Sequence, residues 1–460
     1  MRVVVIGGGI AGLAAARRLT QLLPEAEIVL IEREQRLGGK ILTERTTDGF
    51  VIEGGADSFL SRKERGVGLC EELGIELVGR RPEHARSFVR RGRELHPLPE
   101  GLTGTIPTDL DALASSALLS AEGKARVAEE IDLPPAPPGA DESVASFVSR
   151  RLGREAYEAI VEPLMTGIYG GDGEQLSLKA TFPQLRALEL EYGSVIRGLE
   201  AQPQTPGRHP PFVAPASGMA TIVERLVSSL ESRVNVLSGS GAVDLRPRSG
   251  GFVVELSNRV TFDADGVVLA VPAFIAAVLL DGIDADWLAE EHYDMAWSSS
   301  AVVTLGYEEG EVPHPLDGYG YLVPRSEGSD VLACTWTTSK WQERAPAGKA
   351  LLRIFVGRFG GRNVTEYSDR ALLKLARNEV RTLGIRARPS LTRIHRWLGG
   401  MPQYVLGHPE RLEVIDAHLA EHPGLALAGA AYRGVGIPDC IHSGEVAAES
   451  VVRAIAGARA

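Results

Sequence analysis

The stretch that most constrains the fold is the first forty residues, where the apolar run Val3-Val4-Val5-Ile6 passes directly into Gly7-Gly8-Gly9-Ile10-Ala11-Gly12. This order predicts a strand, a glycine turn and a helix start. Gly7 suits the tight turn, Gly9 lacks the Cβ that would block a pyrophosphate, and Gly12 lets a helix over 13–22 pack closely on the strand. The helix N-terminus then presents unpaired N–H groups and the positive end of its dipole to phosphate. A second apolar run, Ile28-Val29-Leu30-Ile31, ends at Glu32, twenty residues after Gly12. A carboxylate at that distance accepts the hydroxyls of an adenosine ribose.

A glycine fingerprint alone also fits a turn with no ligand. Its place between strand and helix, with the acid where a ribose needs it, favours the dinucleotide reading. Arg36-Leu37-Gly38-Gly39-Lys40 follows. A glycine pair so near the acid predicts a chain that doubles back across the ligand instead of entering an ordinary crossover helix. The pattern resembles the extended fingerprint of FAD-binding flavoproteins and places FAD ahead of NAD.

Composition sets the outer bounds. A chain of 460 residues with 44% hydrophobic and 24% charged residues predicts two or three ordinary globular domains. The net charge of −11 argues against a general nucleic-acid binder. One local exception is Arg80, Arg81, Arg86, Arg90, Arg91 and Arg93, interrupted by the single acid Glu83 and expected to be mostly exposed. Cys70, Cys334 and Cys440 have no metal or C-x-x-C spacing, and an odd number leaves no complete disulfide framework, so a reducing cytoplasm fits. The first apolar run is too short for a signal peptide, and no stretch approaches the roughly eighteen apolar residues of a membrane span. Peripheral membrane contact stays open. The histidines are scattered without helical pairs, so no metal site is expected.

Along the chain, Phe50-Val51-Ile52-Glu53-Gly54-Gly55-Ala56-Asp57-Ser58 reads as a short strand running into small residues that let backbone approach a ligand. The cations Arg62 and Lys63 follow; spacing alone makes them a solvated helix start. A hairpin is expected at 87–97 with its turn at Arg91-Gly92. From 108 to 131 the Leu and Ala spacing fits an amphipathic helix capped by Thr108 or Asp109. Leu133-Pro134-Pro135-Ala136-Pro137-Pro138-Gly139 is a linker, because proline lacks the N–H of a helix or central strand. A second helical stretch over 141–165 makes 108–200 a helical insertion, and packing alone explains its apolar face. Strands return at 234–237, 242–245, 252–256 and 267–271. Further strands at 302–307, 331–336 and 351–356 predict an antiparallel sheet, and 369–383 is an amphipathic helix. Finally Leu425-Ala426-Leu427-Ala428-Gly429-Ala430 runs toward Tyr432-Arg433-Gly434-Val435-Gly436-Ile437-Pro438-Asp439-Cys440 and a helix over 439–456, with Pro438 in its first turn. That helix start faces something electron-rich, or it merely closes the sheet.

Together these stretches resemble the porphyrinogen oxidases of haem synthesis, within a superfamily that also holds amine oxidases and phytoene desaturases. The narrower likeness rests on Gly55-Ala56-Asp57-Ser58-Phe59-Leu60-Ser61-Arg62-Lys63 and Glu162-Pro163-Leu164-Met165-Thr166-Gly167-Ile168-Tyr169-Gly170-Gly171-Asp172. It rests equally on Gly400-Met401-Pro402-Gln403-Tyr404 with Gly407-His408, and on Tyr432 through Asp439. These look like bacterial coproporphyrinogen III oxidases; Ala56 departs from the proline common in relatives.

The resemblance implies an α/β chain. Its discontinuous Rossmann-like FAD-binding domain takes 1–50, 214–275 and 397–460. A mixed α+β substrate-binding domain with an antiparallel sheet takes 51–91 and 276–396, and a mainly helical insertion, linked to membrane contact in relatives, takes 92–213. By carry-over, FAD contacts fall on Gly7, Gly8, Gly9, Ile10, Ala11, Gly12, Glu32, Arg33, Lys40, Gly55, Ala56, Asp57, Ser58, Val243, Trp397, Val435, Gly436 and Ile437. Lys63 becomes the substrate cation. No catalytic acid or base is expected, because the flavin carries the chemistry. The implied reaction is the six-electron oxidation of coproporphyrinogen III to coproporphyrin III with O₂ as acceptor and hydrogen peroxide as by-product. Handover to the next haem-synthesis enzyme is an implied further partnership. Alternatives are protoporphyrinogen IX oxidation, another flavin amine oxidase or desaturase, and an idle tetrapyrrole carrier.

Overall fold

The computed structural model describes residues 1–202, 207–283 and 285–459. The expected domain ranges include 203–206, 284 and 460, which lie outside the described residues. Val3, Val4 and Val5 are fully buried in the strand Arg2–Ile6, the middle of a five-stranded parallel sheet. Burial of each such side chain is worth about 1.5–3 kcal/mol. The sheet runs Val234–Ser238, Glu27–Glu32, Arg2–Ile6, Gly266–Leu269, Leu425–Leu427, so segments more than 400 residues apart form one layer. Both faces of the inner strands are covered, which is why 3–6, 28–31 and 267–269 read as continuous apolar runs, whereas Asn235 on the edge strand is exposed.

Helices Ile10–Leu22, Ala220–Leu230 and Ile437–Arg459 pack on one face. The first and last approach so closely that a Cβ on Gly444 would collide with the Ala11 carbonyl. The other face carries the antiparallel strands Ala242–Arg248, Gly251–Leu256 and Thr261–Ala264 and the helices Ala273–Asp281 and Asp286–Tyr293.

A seven-stranded sheet forms the second layer system, in the order Leu391–Pro402, Trp297–Glu308, Lys349–Val356, Val331–Trp336, Gly320–Leu322, Phe88–Arg91, Glu94–Pro97. It is antiparallel except where Phe88–Arg91 joins Gly320–Leu322 in parallel. The helix Asp369–Glu379 covers one face with Leu372 and Ala376; the opposite face contributes to the main cavity.

The helical region is more broken than its apolar spacing predicts. Leu110–Ala114 is capped by Asp109, whose carboxylate accepts the Ala112 N–H at 2.9 Å, and Ala121–Ala128 restarts under a Ser120 cap. The second stretch is interrupted at Gly153, whose φ of +90° suits glycine, and widens to a π turn at Tyr157–Val161 ahead of Pro163, which has no N–H to donate.

Candidate functional site

One cavity of about 2690 Å³ runs between the parallel sheet, the helical region and the seven-stranded sheet. At its sheet end the glycine turn has the predicted geometry. Gly7 sits at φ +109°, and the helix begins at Ile10 with no side chain capping it, so its first N–H groups are free to meet an anion. A Cβ built on Gly9 meets no protein atom within 4 Å, whereas one on Gly12 would collide with the Gly7 carbonyl oxygen. Gly9 therefore shapes a cradle, and Gly12 serves packing.

The doubling back is also present. The Gly38 N–H donates to the Gly8 carbonyl at 2.8 Å, with Gly38 and Gly39 at φ +101° and +56°. Arg36 holds the loop through the carbonyls of Leu37, Gly39 and Ile41. Glu32 lines the cavity and braces the turn as well, accepting the Gly8 N–H at 2.7 Å and the Glu34 N–H at 2.9 Å.

Of the residues expected to meet cofactor, Gly7, Gly9, Ile10, Ala11, Glu32, Arg33, Lys40, Gly55, Ala56, Asp57, Ser58, Val243, Trp397, Val435, Gly436 and Ile437 all line this cavity. Gly8 and Gly12 stand behind it. Trp397 is fixed by donating to the Gly54 carbonyl at 2.7 Å. Lys40 Nζ lies 5.2 Å from the Trp297 ring centroid, and burial lowers its pKa. Asp57 takes up an ion network: Lys340 Nζ at 2.8 Å, Arg353 at 3.3 Å and the Ser58 hydroxyl at 2.9 Å.

Lys63 lines the same cavity with its ammonium 2.5 Å from Asp439. The C-terminal loop that carries Val435 is pinned by Tyr404, which donates to the Ala430 carbonyl at 2.6 Å and accepts the Gly434 N–H at 2.8 Å. Leu164, Ile168, Phe182, Leu322, Leu332 and Phe355 give the remaining wall its apolar character.

The sequence reading missed Lys340, Arg353, Tyr404 and Asp439 as parts of this site. Arg353 had a signal: a charged residue inside the apolar strand Lys349–Val356 needs a buried partner. Lys340 had none. The expectation that the arginines of 80–93 are mostly exposed is corrected, since only Arg86 and Arg93 are exposed. Arg90 is drawn in by Glu379 at 3.3 Å, and Arg91 donates to the Leu118 carbonyl at 2.5 Å.

The glycine cradle, the open helix start and the facing carboxylate fit FAD. The family model described as flavin containing amine oxidoreductase matches residues 10–452. A coproporphyrinogen III oxidase of Bacillus subtilis is 37% identical over 97% of this chain and 96% of its own length. A protoporphyrinogen oxidase of Macaca fascicularis is 32% identical over 98% of each chain. The solved structure of an Exiguobacterium sp. 255-15 chain, named for protoporphyrinogen oxidation, superposes with a TM-score of 0.88 at 33% identity, covering 98% of both chains. With the fold, the cradle and these likenesses together, the chain belongs to the coproporphyrinogen III oxidase and protoporphyrinogen oxidase family of flavin-containing amine oxidoreductases, and is an FAD-dependent oxidoreductase.

Proposed function

We propose that the chain oxidises coproporphyrinogen III to coproporphyrin III in haem biosynthesis, with O₂ as acceptor. Each porphyrinogen loses six electrons and six protons, and three O₂ become three hydrogen peroxide, so the reaction balances. The observation that carries this reading is one cavity of about 2690 Å³ in which the glycine cradle is continuous with an apolar wall. Small-molecule pockets span roughly 300–1,000 Å³, so this one has room for a second large flat ligand beside a dinucleotide. When bound, FAD supplies hydride acceptance at its isoalloxazine ring.

The protein's own residues would bind and orient. The start of Ile10–Leu22 and Gly9 would take the pyrophosphate, Glu32 the ribose, and the loop through Val435, Gly436 and Ile437 the ring edge. Leu164, Ile168, Phe182 and Phe355 would hold the apolar macrocycle and exclude water from it. The division into FAD-binding, substrate-binding and helical parts given above is the matching proposal; the parallel sheet, the seven-stranded sheet and the helices each have a core, and Phe59, Val67, Leu69 and Cys70 of the range 51–91 pack with the parallel sheet.

Coproporphyrinogen carries four carboxylates, whereas protoporphyrinogen carries two. Among the described residues, the cavity wall bears Arg62 and Arg80 with no carboxylate partner, while Lys63, Lys179 and Arg208 there pair with Asp439, Glu410 and Glu71; Arg62 and Arg80 favour the more anionic substrate. Each shielded charge-assisted contact is worth about 1.5–3 kcal/mol, roughly tenfold or more in affinity. The test is kcat/KM for both porphyrinogens in one detergent and salt, with peroxide followed beside porphyrin fluorescence. A preference for coproporphyrinogen III is expected. Equal values, or a preference for protoporphyrinogen IX, overturn the substrate assignment and leave the flavin oxidoreductase intact.

A further inference from the structure

The six arginines clustered at 80–93 part company in the fold. Arg81 pairs with Glu83, Arg90 with Glu379, Arg91 with a backbone carbonyl, and Arg86 and Arg93 are exposed. Arg80 alone of the six lines the cavity. Its guanidinium carbon lies 4.1 Å from the Phe212 ring centroid and 4.5 Å from that of Tyr319. Rings this close give a guanidinium cation–π contacts but no hydrogen-bond acceptors, and leave its edge, with its fork of N–H donors, to find them.

Among the described residues, that edge has no carboxylate within ion-pair distance and no hydrogen-bond acceptor. Asp57, the nearby acid whose charge acts on Arg80, is committed to Lys340, Arg353, Trp341 and Ser58. That network already sets two cations against one carboxylate. Arg80 is therefore a half-buried cation whose charge the protein does not balance locally, and holding it there costs free energy unless an anion meets it.

The clamp is also built to stay in place. The Tyr319 hydroxyl donates to the Arg81 carbonyl at 2.9 Å, which fixes that ring beside Arg80, and Phe212 sits on a strand paired with Leu60 and continuing to pair with Leu77–Gly79. A guanidinium held this way loses little further freedom when it binds, so its contact converts efficiently into affinity.

We propose that Arg80 is a carboxylate-binding residue of the substrate site, taking one rim carboxylate of the macrocycle on the in-plane edge of its guanidinium. This rests on the porphyrinogen reading above and assigns a specificity residue within it. Lysine cannot replace the fork, because it offers a point charge without the planar pair of donors.

The experiment uses the FAD-loaded protein as wild type, Arg80→Met, Arg80→Lys and Arg86→Gln. Equilibrium binding of coproporphyrin III and of its tetramethyl ester is read by fluorescence quenching, beside flavin content and coproporphyrinogen III kinetics. Arg80→Met is expected to weaken binding of the acid by roughly tenfold to a hundredfold and to raise KM in step, with ester binding and flavin content unchanged. Arg80→Lys, which keeps charge and bulk, is expected to recover only part of the acid affinity; Arg86→Gln is expected to match wild type throughout. Wild-type affinity for the acid in Arg80→Lys and Arg80→Met overturns the proposal, as does equal weakening of acid and ester, which is the mark of a packing role. A wild type that binds the acid through Arg80 yet passes no electrons to O₂ refutes the oxidase reading and keeps the carboxylate site. A wild type that oxidises coproporphyrinogen III with full indifference to Arg80 does the reverse, and one that binds no porphyrin overturns both.

Discussion

Lys63 Nζ stands 2.5 Å from Asp439 Oδ2, joining the start of helix Glu64–Glu72 to the first turn of helix Ile437–Arg459. The same carboxylate oxygen accepts the Gly436 N–H at 3.1 Å, so one acid orders both the cation and the loop expected to face the flavin. The Lys63 side chain is 42% exposed, which limits what the ion pair adds to folding to less than about 1 kcal/mol. Lys63→Ala is accordingly expected to leave the melting temperature and flavin content near wild type while raising KM about tenfold, the equivalent of one charge-assisted contact. Steady-state kinetics beside a flavin absorbance ratio check this; an unchanged kcat/KM removes Lys63 from the substrate site.

Asp57 has a different character, because its partners are buried with it. Burial works to raise its pKa, but the charges of Lys340 and Arg353, with the Lys340 hydrogen bond, outweigh burial and hold the carboxyl well below the usual range. Asp57→Asn would strand two buried cations and is expected to cost about 3–5 kcal/mol in urea unfolding. The folded pKa is depressed, so the carboxylate's contribution is complete above its unfolded value of about 3.9 and is lost only as pH falls through the lower folded value. The gap between wild type and Asp57→Asn should therefore be constant from pH 5 to 8. A gap that closes by pH 5 contradicts the assignment.

What could be read from sequence here follows the range of the interaction involved. Strand, glycine turn and helix at 1–22 were legible because each depends on neighbours a few residues apart, and the stretches at 234–237 and 267–271 announced strands in the same way. The pairing of Asp57 with Lys340 was not, since 283 residues separate them and only the closed fold chooses the partner. Likewise Arg90 reads as a surface hairpin residue until Glu379, from the helix Asp369–Glu379 that covers the sheet, is brought against it. Breaks in the helical region escaped the apolar spacing because Gly153 and Pro163 act on the backbone without disturbing the pattern of apolar side chains.

Stability should fall on mild acidification, because burial keeps several histidines neutral in the fold. Burial lowers the pKa values of His292, His314, His395 and His408 below the ordinary imidazole value of about 6.5. His292 is fully buried, with Nδ1 2.6 Å from the Leu288 carbonyl and Nε2 3.1 Å from the Tyr432 hydroxyl, and His408 Nε2 is 2.9 Å from the Tyr432 carbonyl. The unfolded chain binds these protons more readily than the folded one, so the contribution is complete above about pH 6.5 and shrinks as pH drops toward the folded values. Urea midpoints measured from pH 7.5 to 5 should fall, and His292→Gln should flatten part of that slope at a cost in stability at pH 7.5. An unchanged slope in the variant assigns the effect to other groups.

The two glycines at positions 9 and 12 should respond oppositely to the same substitution. Gly9 has φ −71° and ψ 177°, which any residue adopts, and its added Cβ would touch no protein atom within 4 Å. Gly9→Ala is thus expected to leave the apoprotein as stable as wild type, within about 0.5 kcal/mol. Its methyl group would instead occupy the cradle beside the free N–H groups at the start of Ile10–Leu22, so FAD affinity should drop at least tenfold. At Gly12 the Cβ would be driven into the Gly7 carbonyl and would lie 3.3 Å from the Ala270 methyl, forcing helix and strand apart. Overpacking of this kind costs about 1–3 kcal/mol, so Gly12→Ala should lower the melting temperature of the apoprotein itself. Apoprotein melting and FAD titration, run on both variants, separate the two roles. A Gly9→Ala protein that holds FAD as tightly as wild type would show that the pyrophosphate does not approach this turn, whatever the fate of Gly12→Ala.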